Sequence, residues 1–348
     1  MSRFTTAVTA TVIACAGTFA SAQANLTGET TPATQVAAQA MFGVAELAAN
    51  AGIANIQIAA GQTLTNSVQN VAEGKTDIAA APFILPFLMS RGAGPYASVG
   101  PEDGAELAAN LSVLYTYQLS VFGLATYDSS DFSGWGSVPG STIYNGPPRG
   151  AALNKARAMV RLVTELNDGE GYEGIQVNWG QAVATVTDGS ADAFILPMNF
   201  PDARYSQTAS SGGMVVYSFP QDVFESEAGV NFGNAPGSAA VVRLIEDDLV
   251  GPNIRIESED EYFRGYADVG GDVVNVNMDE ELAYALTKTF IEGLDTIQAR
   301  TPAMPNGWLG ETDVAYTGMC GPNPLRYHPG AVRAWEEAGY TLPDCAKP

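Results

Sequence analysis

Arg149 lies in a loop whose composition suits the binding of an anion. The loop, Asn145 to Gly150 (NGPPRG), follows a short apolar segment, Thr142 to Tyr144, and precedes a helical pattern that continues to about Leu166. An arginine beside a helix start can hold a carboxylate through paired hydrogen bonds while free helix N–H groups hold the same anion. We interpret Asn145 and Arg149 as ligand contacts. The alternative for Arg149 is an ordinary ion pair, between parts of the fold or at the surface.

A segment that the chain repeats supplies further candidates. Ile56 to Gln62 (IQIAAGQ) recurs as Ile175 to Gln181 (IQVNWGQ), and Val68 to Asp77 recurs in pattern as Val183 to Asp192. Each copy is typical of a strand, a loop, a helix with a glycine C-cap, and a second strand, which is a βαβ unit. Two such units in one chain predict two similar α/β lobes.

The repeat also predicts where a ligand binds. In α/β folds, ligands lie beyond the C-terminal ends of the parallel strands, at helix N-termini. The matching loops of two lobes therefore predict a cleft between them; alternatively, the glycines only turn the chain and the glutamines cap helices. The candidate contacts of this cleft are Thr30, Thr31, Gln62, Thr63, Phe83, Asn145, Arg149, Gln181 and Asn199.

Other elements follow from apolar spacing and from proline. The helix from Ala151 to Leu166 has an apolar face, and we expect Lys155, Arg157 and Arg161 to lie off that face, in solvent. Pro82 to Phe87 contains two prolines, which predicts a loop or an edge strand.

Residues for catalysis or metal binding are scarce. The only histidine, His328, precedes Pro329 at a helix start, a position typical of a capping or packed residue. The sequence contains no G-x-S-x-G elbow, no Walker loop, no G-x-G-x-x-G after a strand and no EF-hand loop. We therefore predict a protein that is not an enzyme, with no cofactor and no metal.

Composition excludes several other classes of protein. The 348 residues carry 38 acidic and 16 basic side chains, a net charge of −22, whereas a nucleic-acid-binding protein needs a basic face. The same charge disfavours adhesion to anionic lipid. A hydrophobic content of 46% can fill two cores. Mean hydropathy near zero excludes a multi-span membrane protein.

The N-terminus is typical of an export signal. Phe4 to Ala20 is apolar, follows Arg3 and ends in Ala20-Ser21-Ala22-Gln23-Ala24, an A-x-A cleavage pattern. We predict cleavage after Ala22, with Ala24 as the second choice, and a periplasmic location. The alternative is a lipoprotein box ending at Cys15, which would make Cys15 a lipid-anchored N-terminus.

Removal of the signal leaves two cysteines, Cys320 and Cys345. An even pair in an exported protein suggests a disulfide, which would tie the C-terminal tail across the helix that begins near Pro329. The alternative is two reduced thiols.

Several of these motifs together resemble a known family. They are Gly61 to Asn66, Glu73 to Ala79 (EGKTDIA), Tyr144 to Gly150, Asp188 to Phe194 (DGSADAF), Ala285 to Phe290 (ALTKTF) and His328 to Arg333 (HPGAVR). The pattern is similar to the TAXI family of solute-binding proteins, the extracytoplasmic receptors of TRAP transporters. The chain departs from that family at Gly28 to Ala33, which lacks the usual aromatics, and at Arg149, where Gly-Ser usually follows Gly-Pro-Pro.

The resemblance implies a hinged α/β fold of two lobes, the type II periplasmic-binding-protein fold, with the ligand cleft between the lobes. Residues 1–22 are then a signal peptide, residues 23–126 and 272–348 form lobe 1, and residues 127–271 form lobe 2. It also implies a monomeric receptor that delivers a small carboxylate, such as glutamate or a 2-oxoacid, to a TRAP membrane permease. The alternatives are an exported sensor that presents a ligand and an exported hydrolase on the same scaffold.

Overall fold

The computed structural model describes residues 23–348. The predicted signal peptide, residues 1–22, and Cys15 lie outside the described residues. The strands are β1 (Ala24–Glu29), β2 (Ala54–Ala59), β3 (Ile78–Pro82), β4 (Leu111–Tyr127), β5 (Thr142–Tyr144), β6 (Asn167–Asp168), β7 (Gly171–Ile175), β8 (Ala193–Met198), β9 (Met214–Tyr217), β10 (Ser238–Leu244), β11 (Ile254–Glu257), β12 (Tyr262–Asn275) and β13 (Arg326–Tyr327).

Helices follow most of the strands, as an α/β fold requires. They are α1 (Val36–Asn50), α2 (Leu64–Ala72), α3 (Ile84–Ser90), α4 (Pro101–Ala109), α5 (Ala151–Thr164), α6 (Ala182–Thr187), α7 (Ala203–Ala209), α8 (Gln221–Glu225), α9 (Glu227–Gly233), α10 (Glu280–Glu292), α11 (Leu294–Gln298), α12 (Val314–Thr317) and α13 (Pro329–Glu337). Short 3₁₀ helices occur at Gly94–Tyr96, Trp135–Ser137, Trp179–Gln181, Met304–Asn306 and Asp344–Ala346.

The two repeat copies fold as the predicted βαβ units. In lobe 1 the copy forms β2, α2 and β3, and in lobe 2 it forms β7, α6 and β8. A parallel strand lies between the two strands of each unit: β1 pairs with β2 and β3, and β5 pairs with β7 and β8. Because the strand order is the same in both lobes, their strand ends and helix starts face the same interlobe space. The fold is the predicted two-lobe α/β architecture, with the cleft between the lobes.

Two long antiparallel strands, β4 and β12, run through both lobes. In lobe 1 they extend the sheet in the order β2-β1-β3-β12-β4, and in lobe 2 the second half of β4 pairs with β8 and β9. Their ladder is irregular between Asp268 and Val269, at the level of the cleft. Such an irregularity bends and twists a strand pair, which suits a hinge.

Close packing fixes glycine at two positions of β12. A Cβ atom on Gly270 would lie 2.1 Å from the Ala81 carbonyl oxygen, and one on Gly271 would lie 2.2 Å from the Tyr115 carbonyl oxygen. No side chain fits at these distances. The two glycines therefore let β12 pack directly against β3 on one side and β4 on the other.

The buried apolar side chains divide into separate cores. One core contains residues from Leu26 to Leu119 and from Val273 to Ala346, whereas two others contain residues between Val121 and Val269. Along β4 and β12 the side chains thus pass from the core of lobe 1 to the cores of lobe 2, so these two strands belong to both lobes. The domain boundaries near residues 126 and 271 stay a prediction.

One local prediction was wrong. Ile84 to Ser90 forms helix α3 directly after β3, although Pro82 to Phe87 was predicted to be a loop or an edge strand. Pro86 lies in the first turn of this helix, where the missing N–H has no intrahelical acceptor to lose. The proline is therefore compatible with the helix.

The predicted disulfide is present. Cys320 and Cys345 are bonded, with 5.4 Å between their Cα atoms and a sequence separation of 25 residues. Helix α13 begins at Pro329, between the two cysteines. The bond therefore ties the C-terminal tail across this helix, as expected from the sequence.

Candidate functional site

A cavity of about 100 Å³, measured as the space open to the centres of water molecules, lies between the lobes. Residues of both lobes and of the hinge line it: Thr31, Pro32, Gln35, Gln62, Thr63, Leu64, Thr65, Pro82, Leu85, Leu119, Ser120, Phe122, Pro147, Arg149, Gly150, Ala151, Ala152, Trp179, Pro197, Arg204 and Asp268. Pro82 of β3 and Pro197 of β8, from the second strand of each βαβ unit, are among them. The cavity thus lies beyond the strand ends, where ligands bind in α/β folds.

The lobe 1 wall is made by two loops that hydrogen-bond to each other. The Thr30 N–H donates to the Ala59 carbonyl at 3.0 Å, which extends the β1–β2 ladder. The Gly61 N–H then donates to the Thr31 carbonyl at 2.9 Å, and the Gln62 N–H to the Thr30 carbonyl at 3.0 Å. These bonds place Thr31 and Gln62 side by side at the starts of α1 and α2.

The lobe 2 wall repeats this construction. The Asn145 N–H donates to the Ile175 carbonyl at 2.9 Å, and the Val177 N–H donates to the Gly146 carbonyl at 3.1 Å. The loop after β5 is therefore held against the loop after β7, and Arg149 and Trp179 reach the cavity from these two loops. The Arg149 side chain is exposed, and it forms no ion pair with any residue in the range 23–348.

Arg204 is a second cationic residue in the cavity, and the sequence analysis missed it. Asp202 caps helix α7, because its Oδ1 accepts the N–H groups of Arg204 and Tyr205 at 2.9 and 3.0 Å. The cap fixes the first turn of the helix, and the Arg204 guanidinium lies over the Trp179 ring, 5.0 Å from its centroid. Its Nη1 atom is buried and has no hydrogen-bond partner in the described part of the chain.

Lys155 was expected in solvent, and that expectation was wrong. Its ammonium lies 3.0 Å from Asp268 Oδ1, and both side chains are only 9% exposed. It also donates to Ser238 Oγ at 2.7 Å and to the Ala267 carbonyl at 3.0 Å. Helix α5 has a second buried face, toward the hinge strand β12, which the apolar spacing did not reveal. Because Lys155 neutralises Asp268, the charges of Arg149 and Arg204 remain uncompensated in the cavity.

Buried polar atoms without partners concentrate at this site. A buried donor or acceptor is nearly always paired with protein, water or ligand, because leaving it unpaired costs about 1–3 kcal/mol. Within the described residues, the side chains that line the cavity and carry a buried atom without a partner are Thr31, Gln35, Thr65 and Arg204. Thr30, Asn145 and Asn199, which lie beside them in the chain or the fold, also carry such an atom. A polar ligand or water in the cavity would supply the missing hydrogen-bond partners.

The lobes touch each other across the cleft. Asn199 Nδ2 of lobe 2 donates to Gln35 Oε1 of lobe 1 at 2.9 Å, and this bond is buried. Asn306 Nδ2 of lobe 1 donates to the Phe200 carbonyl at 2.6 Å, while Arg243 donates to Asn306 Oδ1 at 2.8 Å. A Cβ atom on Gly150 would lie 3.7 Å from the Thr65 hydroxyl of the other lobe. This is a closed arrangement around a small cavity.

The structure brings four of the predicted contacts together in the cavity wall: Thr31, Gln62, Thr63 and Arg149. Thr30, Asn145 and Asn199 are buried immediately behind that wall, and Asn199 bonds to Gln35. Phe83 is fully buried in the core of lobe 1, and Gln181 is exposed at the start of α6, so neither side chain lines the cavity.

Residues with catalytic or metal-binding chemistry are not assembled here. His328 caps α13, because its Nδ1 accepts the Gly330 N–H at 3.2 Å, and burial lowers its pKa. Residues 23–348 contain no group of three or more His, Cys, Asp or Glu side chains placed to hold a metal ion. Within the same range, no helix has the length and apolar character needed to cross a membrane.

Comparison with known proteins adds information about the fold. No protein-family model matches the chain, and no curated protein matches its sequence. A solved structure from Bordetella bronchiseptica RB50 is similar over 91% of this chain and 98% of that chain, with a TM-score of 0.54 and 14% identity.

Two receptor structures show lower scores. A TRAP periplasmic solute-binding protein from Desulfovibrio salexigens, in complex with diglycerolphosphate, matches 92% of this chain and 86% of that chain, with a TM-score of 0.48 and 12% identity. A marine-metagenome TRAP solute-binding protein specific for pyroglutamate matches 82% of each chain, with a TM-score of 0.46 and 13% identity. At such identities, the similarity concerns the fold alone.

Proposed function

We propose that this protein is an extracytoplasmic solute-binding receptor that captures one small organic anion, a carboxylate such as glutamate or a 2-oxoacid, by closure of its lobes. The observation that carries the proposal is Arg204, which lines the interlobe cavity and whose buried Nη1 atom has no hydrogen-bond partner among residues 23–348. A buried guanidinium nitrogen without an acceptor is costly, and a carboxylate would supply both the opposite charge and that acceptor.

The surrounding residues support a carboxylate. Gln62 and Thr63 directly precede α2, where amide, hydroxyl and backbone donors are available to an anion, and Thr31 adds a hydroxyl from the loop before α1. Arg149 adds a second positive charge from the loop between β5 and α5 of lobe 2. The site is therefore positive in a chain whose net charge is −22. This local reversal of sign favours a ligand that is an anion.

The remaining wall is apolar. Leu85, Leu119, Phe122, Pro147 and Trp179 line the cavity together with the polar groups. A small-molecule site typically combines an apolar wall with a few polar groups that fix orientation. An exported sensor with a filled interlobe groove would lack such a cavity, so the cavity favours the receptor.

Thermal unfolding against a panel of carboxylates, amino acids, polyols and cations tests the proposal. We expect one or more carboxylates to raise the unfolding temperature, because a ligand that binds only the folded state stabilises it. Arg204→Gln should weaken that ligand about thirtyfold or more, the effect of removing one partner of a buried charged hydrogen bond. Arg161→Gln, the same change at an exposed position of α5, is the matched control and should bind as the wild type does. Stabilisation by polyols or cations alone would reject the proposal that the ligand is an anion.

We infer that the receptor is periplasmic and acts as a monomer with a TRAP-type membrane permease, as the motif resemblance implies. The disulfide between Cys320 and Cys345 suits an oxidising compartment. Terminal sequencing of the exported protein should give Gln23 as the first residue. Deletion of the gene should abolish cellular uptake of the stabilising carboxylate, and unchanged uptake would remove the transport role.

A further inference from the structure

A second cavity, of about 270 Å³ in the same measure, opens beside the first one. We call it the side chamber. It is lined by Ile84, Leu88, Ala151, Asn154, Lys155, Ala158, Phe232, Ala235, Pro236, Ser238 and Asp268. Ile84 and Leu88 belong to α3 of lobe 1, and the other residues belong to lobe 2 and the hinge strand. The side chamber is therefore also an interlobe space, which forms when the lobes close.

The side chamber adjoins the ligand cavity. Ala151 and Asp268 line both spaces, so one helix start and one hinge residue form their common border. Along α5, Ala151 and Ala152 face the ligand cavity, whereas Ala151, Asn154 and Ala158 face the side chamber. At this border Ala151 presents only a methyl group.

The chemistry of the side chamber differs from that of the ligand cavity. Its two charged residues, Lys155 and Asp268, form an ion pair at 3.0 Å. The Lys155 ammonium also donates hydrogen bonds to Ser238 Oγ and to the Ala267 carbonyl. No charge is left for a ligand there. The Lys155 ammonium also lies over the Phe232 ring, 5.2 Å from its centroid. The space that remains is bounded mainly by aliphatic, aromatic and alanine side chains.

We propose that the ligand is an elongated amphipathic carboxylate, with its anionic head at Arg204 and Arg149 and an apolar chain that passes Ala151 into the side chamber. This inference rests on the proposed function and specifies its ligand class. The charged end and the apolar end are each matched by one of two adjoining spaces. The side chamber then sets how long a chain the protein accepts.

Calorimetric titration with butanoate, hexanoate, octanoate and decanoate, all below their micelle concentrations, tests this inference. Each methylene group buried in the side chamber should tighten binding about threefold to fourfold. Ala158→Leu places a larger side chain in the side chamber alone, since Ala158 does not line the ligand cavity. In this variant we expect butanoate to bind as before, and the gain from octanoate and decanoate to disappear.

A matched control and a second variant complete the experiment. Ala184→Leu makes the same change at an exposed position of α6 and should keep the chain-length dependence. If Ala158→Leu fails to fold, Ala235→Leu fills the side chamber from its opposite wall. Binding that does not depend on chain length, or a gain that survives the filling variants, overturns the inference but leaves carboxylate binding intact. If no acid of the series binds while a carboxylate of the thermal-unfolding panel does, the inference fails and the proposed function stands; if no carboxylate of either set binds, both fail.

Discussion

Pairing, rather than the number of charges, decides the electrostatic character of the cleft. Lys155, Asp268, Arg149 and Arg204 all lie at the interlobe space, but Lys155 and Asp268 are only 3.0 Å apart and cancel. Arg204 is the more constrained of the two remaining cations, because the Asp202 cap and the Trp179 ring hold it while Arg149 is exposed. We therefore rank Arg204 above Arg149 as the anchor of the ligand.

A second buried carboxylate, Asp272, lies in the core of lobe 1 on hinge strand β12. The hydroxyls of Tyr115 and Tyr117 donate to its two oxygens at 2.5 and 2.6 Å. Burial nevertheless raises the pKa of Asp272 from 3.8 to about 6, against the opposing effect of these hydrogen bonds. The carboxylate is therefore harder to ionise in the folded protein than in the unfolded chain.

Asp272 should make the folded protein less stable as the pH rises. Its contribution to the free energy of unfolding is fully present below pH 4 and is lost as the pH rises through about 6. The difference between the two pKa values corresponds to about 3 kcal/mol. Asp272→Asn cannot ionise, so urea unfolding should show the variant gaining stability relative to the wild type, by up to about that amount, between pH 4 and pH 7.

Asp260→Asn is the control with the opposite sign. A hydrogen bond from Arg264 lowers the pKa of Asp260 to about 2, so this residue loses its stabilising contribution as the pH falls. The effect of Asp260→Asn relative to the wild type should therefore change only between about pH 2 and 4, in the direction opposite to that of Asp272→Asn, and should stay constant between pH 4 and pH 7. A constant difference between Asp272→Asn and the wild type across this pH range would contradict the assignment.

The sequence located part of the candidate site and missed its anchor for a definable reason. Thr31, Gln62, Thr63 and Arg149 were found because they lie at strand ends that a repeat or a Gly-Pro-Pro loop marks. Arg204 lies five residues beyond Asn199, in the first turn of α7 and outside the two repeat copies. The sequence feature that could have identified Arg204 is Asp202, a typical N-cap residue that follows the predicted cleft residue Asn199 and indicates a helix start there; the sequence analysis did not use it.

At the scale of elements, one loop of lobe 2 is held from lobe 1 at two points. Asn199 bonds to Gln35, and the next carbonyl, that of Phe200, accepts a bond from Asn306. Arg243 supports Asn306 and lies over the Phe200 ring, 5.3 Å from its centroid. Because this loop leads into α7, the contacts that close the lobes also position Arg204.

Asn306→Ala should therefore weaken ligand binding without touching the cavity. Loss of the bond to the Phe200 carbonyl removes about 1 kcal/mol from the closed state, which lowers apparent affinity roughly fivefold. Calorimetric titration with the best carboxylate of the panel measures this. Asn277→Ala, at an exposed position of lobe 1 outside the cavity, should bind as the wild type does. Equal affinities for all three proteins would show that Asn306 has no part in closure.

The disulfide should act on stability alone. It closes a loop with a sequence separation of 25 residues around α13, and neither cysteine lines the cavity. In the chain-entropy model, its loss costs about 3 kcal/mol. Cys345→Ser should therefore lower the free energy of unfolding in urea by about that amount, and a reducing agent should bring the wild type to the same value. An unchanged urea midpoint, or a changed affinity for the carboxylate, would contradict this separation.

Elements were predictable from one apolar face, but a second buried face of the same element was not. The repeat units, the strand Thr142–Tyr144 and the helix after it follow from local spacing alone. Helix α5 also packs against β12, and the burial of Lys155 on that side depends on Asp268, which is 113 residues away in sequence. An amphipathic pattern reports the stronger apolar face only.

At the scale of the whole molecule, the duplicated βαβ unit was enough to predict two lobes and the cleft between them. The cavity and the side chamber were not predictable, because their sizes depend on how closely the lobes approach. That approach is set by contacts such as Thr65 with Gly150 and Gln35 with Asn199, each of which joins residues of different lobes. No local pattern encodes such pairs.

A wedge at the interlobe contact tests whether closure and binding are one event. Thr65 is buried, and its hydroxyl lies 3.7 Å from the Cβ position of Gly150 across the cleft. A tryptophan there cannot be accommodated in the closed form without separating the lobes, because overpacking forces the backbone to move. Small-angle X-ray scattering should show the wild type becoming more compact when the best carboxylate is added. Thr65→Trp should keep the larger radius of gyration with or without it.

Asn66→Trp is the matched control for this wedge. Asn66 is the next residue of α2, is exposed and does not line the cavity, so the same bulky side chain there should leave compaction unchanged. Thr65→Trp blocks closure but leaves the charges of the cleft unchanged. It should therefore also weaken binding of the carboxylate, because the open form loses the lobe 1 contacts at Thr31 and Gln62. Compaction of Thr65→Trp equal to that of the wild type would mean that the lobes do not close on the ligand. The interlobe cavity would then be a fixed feature of a rigid molecule rather than the product of a hinge.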